Sequence, residues 1–155
     1  MDIIHYAQRY LASLNIDQWQ DGYPDETQIK KDIENKKSYV VENKEQQIIA
    51  TFMFTTTGEP TYTTINGKWL TNTNATYGVI HRIAVAENCT NKGMATTIIT
   101  HCENQLQKQS IASMRIDTHL DNLGMQHILK KINYSYCGII TLTSNAIRLA
   151  YEKIF

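Results

Sequence analysis

The sequence predicts an α+β chain in which helices pack on the faces of a mixed sheet. Three observations predict it. Helical and strand-like segments alternate along the whole chain, pairs of strands are joined by short polar turns, and strand–helix–strand crossovers lie between those pairs. Hairpins require antiparallel pairing and crossovers require parallel pairing, so the sheet must be mixed. A length of 155 residues fits one domain spanning the whole chain. Such a domain buries roughly two-thirds of its unfolded surface.

The first helix is read from Ile3 to about Leu14, with Ile3, Ala7, Tyr10, Leu11 and Leu14 on one face. A loop follows at Gln18-Trp19-Gln20-Asp21-Gly22-Tyr23-Pro24, punctuated by Asp-Gly and Pro. Asp25 is placed to cap a second helix over Thr27 to Asn35. Strands are expected at Ser38–Val41 and Gln46–Thr56, with Asn43-Lys44-Glu45 turning between them. The stretch from Thr57 to Ala75 is rich in Thr and Asn, and its Asn66-Gly67 pair predicts a turn. Gly78–Ala86 reads as a buried strand. Lys92 to about Gln107 reads as a helix with Ala95, Ile98, Ile99, Cys102 and Leu106 facing inward. Ser113–Thr118 is a short strand, Asp121–Lys131 a helix, and Tyr134–Leu142 with Ala146–Tyr151 a second hairpin.

Fifteen basic and fifteen acidic residues give zero formal net charge. That argues against general nucleic-acid or anionic-membrane binding, which needs an excess of Lys and Arg. It also leaves copies of the chain weakly repelled, so a homodimer stays open. No apolar run reaches the ~18 to 20 residues needed to span a bilayer. The start, Met1-Asp2-Ile3-Ile4-His5, has no basic region, apolar core or small-residue cleavage site, so no secretory signal is expected there. Cys89, Cys102 and Cys137 are odd in number and widely spaced, which fits a reducing cytoplasm and neither a disulfide framework nor structural zinc. His101, His119 and His127 make no metal-ligand spacing, and no metal is expected.

The chemistry concentrates where a buried strand runs through a polar loop into a helix, from His81-Arg82-Ile83-Ala84-Val85 to Thr90-Asn91-Lys92-Gly93-Met94-Ala95-Thr96. Backbone N–H groups at a helix N-terminus, with the positive end of the helix dipole, attract anionic oxygens. Gly93 lets a phosphate approach the backbone, Ala95 keeps the next turn narrow, and Lys92 adds a charge. On Gly93 alone an ordinary loop and core helix is the simpler reading. The window is neither a P-loop nor a dinucleotide fingerprint.

Taken together, these residues resemble the GNAT superfamily of N-acetyltransferases, in a bacterial branch of small members. The family's signature is a strand followed by [Q/R]-x-x-G-x-[G/A] opening a helix; here Gly93 and Ala95 match while Thr90 replaces Gln or Arg. The family's second motif, an Asn followed by an apolar residue and later Gly-Phe, corresponds to Asn122, Met125 and Asn133-Tyr134. Asn133 suits the left-handed position that ends a helix. Arg148 to Lys153 looks like the family's last strand. The chain starts almost in a helix, where the family usually has a strand first, which leaves a sheet edge open or covered by a partner.

The resemblance implies a GNAT-like central sheet, splayed at a cofactor cleft, with helices on both faces. It implies acetyl-CoA as acyl donor. The pantetheine arm would pair with Ile83, Ala84 and Val85, and the diphosphate would meet the N–H groups of Thr90, Asn91, Lys92, Gly93, Met94, Ala95 and Thr96. Asn122 and Met125 would line the arm. A primary amine of a small molecule or peptide would attack directly, with a backbone N–H near Val85 stabilising the oxyanion. Many members place a Tyr seven residues after the motif Asn, but here that position is Leu129. Tyr134, His81 and Glu87 are the candidates for proton transfer, although Tyr134 also fits the core place of the family's Phe. Trp19 and Tyr23, beside Asp21, would wall an acceptor amine; Trp69 is read as packing. Two alternatives stay open on the same fold, a catalytically weak CoA-binding module and a protein-interaction module.

Overall fold

The computed structural model describes residues 1–90 and 92–155. Four helices are present: α1 (Asp2–Ser13), α2 (Glu26–Glu34), α3 (Met94–Lys108) and α4 (Leu123–Lys131). The strands are β1 (Ser38–Glu42), β2 (Ile48–Thr55), β3 (Asn66–Gly67), β4 (Gly78–Val85), β5 (Ser113–Thr118), β6 (Ser135–Thr141) and β7 (Ile147–Ile154). They form one mixed seven-stranded sheet in the order β1-β2-β4-β5-β7-β6-β3. No strand precedes α1 among the described residues, and β1 stands at the sheet edge.

The chain divides into two compact units, Met1–Phe54 with His81–Ile98, and Thr55–Ile80 with Ile99–Phe155. In the first, α1 buries Ile4 and Leu11, seven residues apart. Tyr10 and Leu14, expected on the inner face, are exposed instead. Seven residues are nearly two full turns, so Ile4 and Leu11 fall on one line, and α1 sits rotated from the stripe inferred from the sequence. Asp25 caps α2 as expected, its carboxylate accepting the Gln28 N–H at 2.8 Å. Asp25→Ala should cost about 1 kcal/mol, read as a lower urea midpoint at unchanged slope. β1 and β2 form the first hairpin, with Ser38 opposite Met53 and Val41 opposite Ala50.

In the second unit, β5, β7 and β6 form an antiparallel ladder, with Arg115 opposite Glu152 and Ser135 opposite Glu152 on the other side. β4 pairs parallel with β5 through Gly78↔Met114 and Val79↔Arg115. Asn66-Gly67 is not the expected turn. It is β3, paired antiparallel with Ile139 and Gly138 of β6. Both glycines have φ near +142°, and a Cβ on Gly67 would stand 2.2 Å from the Cys137 carbonyl oxygen. The Asn-Gly signal therefore served close backbone approach, for which the same residue is selected. α4 starts at Leu123, two residues later than expected, because Asn122 caps it from outside. Its end is as expected: Asn133 adopts φ 66°, and the Tyr134 N–H reaches the Leu129 carbonyl at 2.9 Å.

Candidate active site

In the first unit the candidate site is built on the second half of β4. Arg82, within this strand, takes a left-handed backbone conformation with φ 55°, which costs a non-glycine residue about 1 kcal/mol or more. Its side chain anchors that conformation. One guanidinium nitrogen is 2.7 Å from the Asp32 carboxylate, both side chains being at least nine-tenths buried. Another donates to the Tyr23 hydroxyl. Gln28 donates to the second Asp32 oxygen at 2.9 Å, and Gln8 donates to the Tyr23 carbonyl at 3.1 Å. This network ties α1, the α1–α2 loop and α2 to the strand. Two polar residues, His81 and Arg82, inside an apolar strand were the sequence signal for it; Asp32 gave none, because a carboxylate on a short helix usually faces solvent.

The loop residues expected to meet an acceptor are partly gathered. Asp21 and Tyr23, with Gly22, Asp25, Thr27, Gln28 and Lys31, line an open depression of about 340 Å³. Asp21 also accepts the Tyr23 N–H at 3.2 Å. Trp19, half-buried with φ 69°, is not among the lining residues. His81 is half-buried and Glu87 is exposed on the 3-10 turn Glu87–Cys89.

After β4, the Ala86 N–H is taken by the Ile49 carbonyl at 2.8 Å. The Thr90 N–H is taken by Glu87 at 3.2 Å, and the Thr90 hydroxyl donates to Ala86 at 3.2 Å. The tight turn thus uses the Thr90 N–H internally. Asn91 lies outside the described residues. Lys92 and Gly93 are exposed, and Met94, Ala95 and Thr96 are half-buried. Gly93 has φ 78°, and a Cβ there would meet nothing within 4 Å. The first α3 bond is Thr97 N–H to Gly93 at 3.0 Å. The first-turn N–H groups of α3 lack partners within the helix and point toward its N-terminus, where Gly93 stands. That is a cradle suited to an anionic oxygen cluster, so the residues present fit the diphosphate of a CoA cofactor. Beside it, Ala84 is buried while Ile83 and Val85 are half-buried.

In the second unit, the Asn122 side-chain oxygen accepts the Met125 N–H at 3.0 Å. The two residues carried over from the family's second motif are thus joined in the α4 cap. Tyr134, a candidate for proton transfer, lies in the core. It is 5% exposed, with Lys153 5.7 Å over its ring. Burial, reinforced by the Glu103 carboxylate, pushes its phenol far above the ordinary range. Its hydroxyl is buried beside the Glu103 carboxylate. It occupies the core place expected of an aromatic ring. Leu129, at the family's Tyr position, is fully buried. Trp69 packs as expected, 5.1 Å from the Tyr62 ring, and donates to the Tyr62 carbonyl at 3.0 Å. Cys102 is buried, and burial with the neighbouring Glu103 charge raises its thiol to about 12, so it is inert as a nucleophile.

Two polar groups in the second unit were not anticipated. Glu152 is fully buried and accepts from the Leu70 N–H at 2.6 Å, the Thr71 N–H at 3.2 Å, the Ser113 hydroxyl at 2.9 Å and Arg115 at 3.1 Å. The Arg115 guanidinium is held between Trp69 and Tyr77, 4.3 and 3.8 Å from their ring centroids. Asp117 accepts the Tyr62 hydroxyl at 2.7 Å. Charged residues inside predicted strands were the available signal. Among the described residues no group of three His, Cys, Asp or Glu could hold a metal ion, and no helix is long and apolar enough to cross a membrane.

A mixed sheet in which β4 runs through a glycine-containing loop into α3 is the fold of a class of acyltransferases. The chain belongs to the acetyltransferase (GNAT) family, whose model matches residues 5–134. It is similar over 100% of its length to a GNAT-family acetyltransferase from Streptococcus agalactiae, covering 87% of that chain at 34% identity and a TM-score of 0.86. A GNAT-family acetyltransferase from Listeria monocytogenes shares the fold at 17% identity, with 99% and 86% coverage and a TM-score of 0.77. The NatB acetyltransferase complex bound to CoA and MES shares it at 14% identity, with 77% and 74% coverage and a TM-score of 0.58. No curated protein matches the sequence.

Proposed function

We propose that residues 1–155 act as one domain, an acetyl-CoA-dependent N-acetyltransferase that modifies a primary amine of a small molecule or peptide by direct attack. The observation that carries this reading is the left-handed Gly93, open on the side where a Cβ would stand, at the start of α3. When bound, acetyl-CoA supplies an activated acyl thioester. Lys92, Gly93, Met94, Ala95 and Thr96 hold the diphosphate through backbone amides and one ammonium group. The backbone of Ile83, Ala84 and Val85 aligns the pantetheine arm. Asp21 and Tyr23, with Trp19 beside them, present a polar and aromatic wall to the acceptor. His81 and Glu87 are the remaining candidates to pass on its proton. The unbridged Cys89, Cys102 and Cys137 suit a reducing cytoplasm.

A thermal unfolding series with acetyl-CoA tests the reading. A ligand that binds only the folded chain adds about 2.7 kcal/mol at a hundred times its Kd. The midpoint should therefore rise steadily with concentration, by roughly 5 to 10 °C at a hundred times Kd for a chain of this size. No rise at millimolar acetyl-CoA would reject the assignment. One observation favours a second reading, a CoA-binding module with weak chemistry: Leu129 stands where many members have a Tyr, and the Tyr134 hydroxyl is buried. Cofactor-dependent stabilisation without CoA thiol release across a broad amine panel would select it.

A further inference from the structure

Among the described residues, eight non-glycine positions take a left-handed backbone. Seven stand in turns, loops or just past a helix end, as Asn15, Lys36, Ser110 and Asn133 do. Arg82 alone lies inside a strand, with residues of β4 on both sides. Arginine has no short polar group to bond its own backbone, as Asn and Asp have, so nothing local supports this conformation. A left-handed backbone lowers the population of a non-glycine residue by roughly fivefold to thirtyfold, and the support must come from contacts of the side chain.

Those contacts fix a direction. Arg82 meets Asp32 at 2.7 Å, with both side chains at least nine-tenths buried. Desolvation offsets much of the attraction in such a pair, so it contributes geometry more than stability. Asp32 belongs to α2 and is itself held at 2.9 Å by Gln28, one turn earlier on that helix. Another guanidinium nitrogen donates to the Tyr23 hydroxyl, and the planar fork of arginine lets one side chain serve both partners. The bend held in this way directly precedes Ile83, Ala84 and Val85. Just beyond them the chain is tied to β2, where the Ala86 N–H bonds the Ile49 carbonyl at 2.8 Å. All of these residues belong to the same compact unit.

We propose that Arg82 is a positioning residue for the acyl donor: its buried pair with Asp32 holds the left-handed bend that sets the direction of the Ile83, Ala84 and Val85 backbone. The inference rests on the acyl-transfer reading above and adds to it a side chain that acts through the backbone without touching the donor. Without the anchor the bend is sampled only part of the time, and donor affinity falls in proportion to the fraction of chains that keep it.

Acetyl-CoA is titrated calorimetrically into the full chain, wild type and three variants, below every melting midpoint. Arg82→Ala removes the anchor and keeps the left-handed cost, and should weaken acetyl-CoA by roughly fivefold to thirtyfold. Arg82→Gly takes the same backbone conformation freely and should bind within about threefold of wild type. Asp32→Asn keeps the shape and removes the charge, and should weaken binding by about threefold or more, the Tyr23 contact remaining. Amide hydrogen exchange of the ligand-free chain gives a second readout at Ala86, with Thr97 in the first turn of α3 as reference. Ala86 should exchange faster relative to Thr97 in Arg82→Ala and Asp32→Asn, and stay near wild type in Arg82→Gly. Where Arg82→Ala does not fold, Asp32→Asn carries both readouts. Wild-type affinity in both Arg82→Ala and Asp32→Asn overturns the proposal, and so does unchanged Ala86 exchange in both. Equal losses in Arg82→Ala and Arg82→Gly also overturn it, since the side chain and not the bend would then meet the donor. Faster Ala86 exchange in the variants, with no binding of millimolar acetyl-CoA by wild type, would uphold the anchored bend and reject the acyl-transfer reading instead.

Discussion

Glu152→Ala is expected to destabilise the protein by about 3 to 5 kcal/mol, the usual result of removing one partner of a buried ion pair. Two causes add. Arg115, 2% exposed, loses its anionic partner while held between Trp69 and Tyr77. The Leu70 and Thr71 N–H groups and the Ser113 hydroxyl lose a shared acceptor. For a chain of this size the loss corresponds to a fall of roughly 6 to 20 °C in thermal midpoint. The same site gives a pH dependence. Burial alone would raise the Glu152 carboxyl, but hydrogen bonds from the Thr71 side chain and backbone, with Arg115, outweigh it and hold the group below its ordinary 4.5. A depressed carboxylate contributes stability above its unfolded value and loses it as pH falls through the folded value. Wild type should therefore lose stability below about pH 4.5, and Glu152→Gln should lack that part of the acid slope. Denaturant midpoints at pH 7 and pH 3.5 measure both effects. A variant within 1 kcal/mol of wild type at pH 7 would show that the network is dispensable.

Gly93→Val should remove acetyl-CoA binding, by on the order of a hundredfold or more in Kd, which is about 2.7 kcal/mol. The backbone there has φ 78°, and the space a side chain would take is open. Valine would fill the cradle with apolar atoms and resist the left-handed conformation, which costs about 1 to 2 kcal/mol by itself. The two contributions separate experimentally. Calorimetric titration reads the affinity, and the melting midpoint without ligand reads the strain. Retained affinity would move the diphosphate site away from α3.

Element types and order were legible because they follow from period and punctuation. The Asp25 cap, the β5 strand from Ser113 to Thr118 and the left-handed Asn133 are all local consequences of residue type. The Gly93 turn was visible for the same reason. Asn66-Gly67 misled because glycine serves both a two-residue turn and a close backbone approach, and only the partner strand distinguishes them. Tyr134 read both ways because a phenol serves as an acid or as a ring to bury, depending on which neighbours enclose it.

By itself the amino-acid sequence determined the alternation of helices and strands, the two hairpins and the glycine that opens α3, since each depends on residues within a few positions of one another. Tertiary structure alone decided that Asp32 pairs with Arg82 and that Glu152 collects donors from residues 70, 71, 113 and 115. A charged group's role is set by which partners and how much water remain around it after distant segments have packed, and neither is written in its sequence neighbourhood.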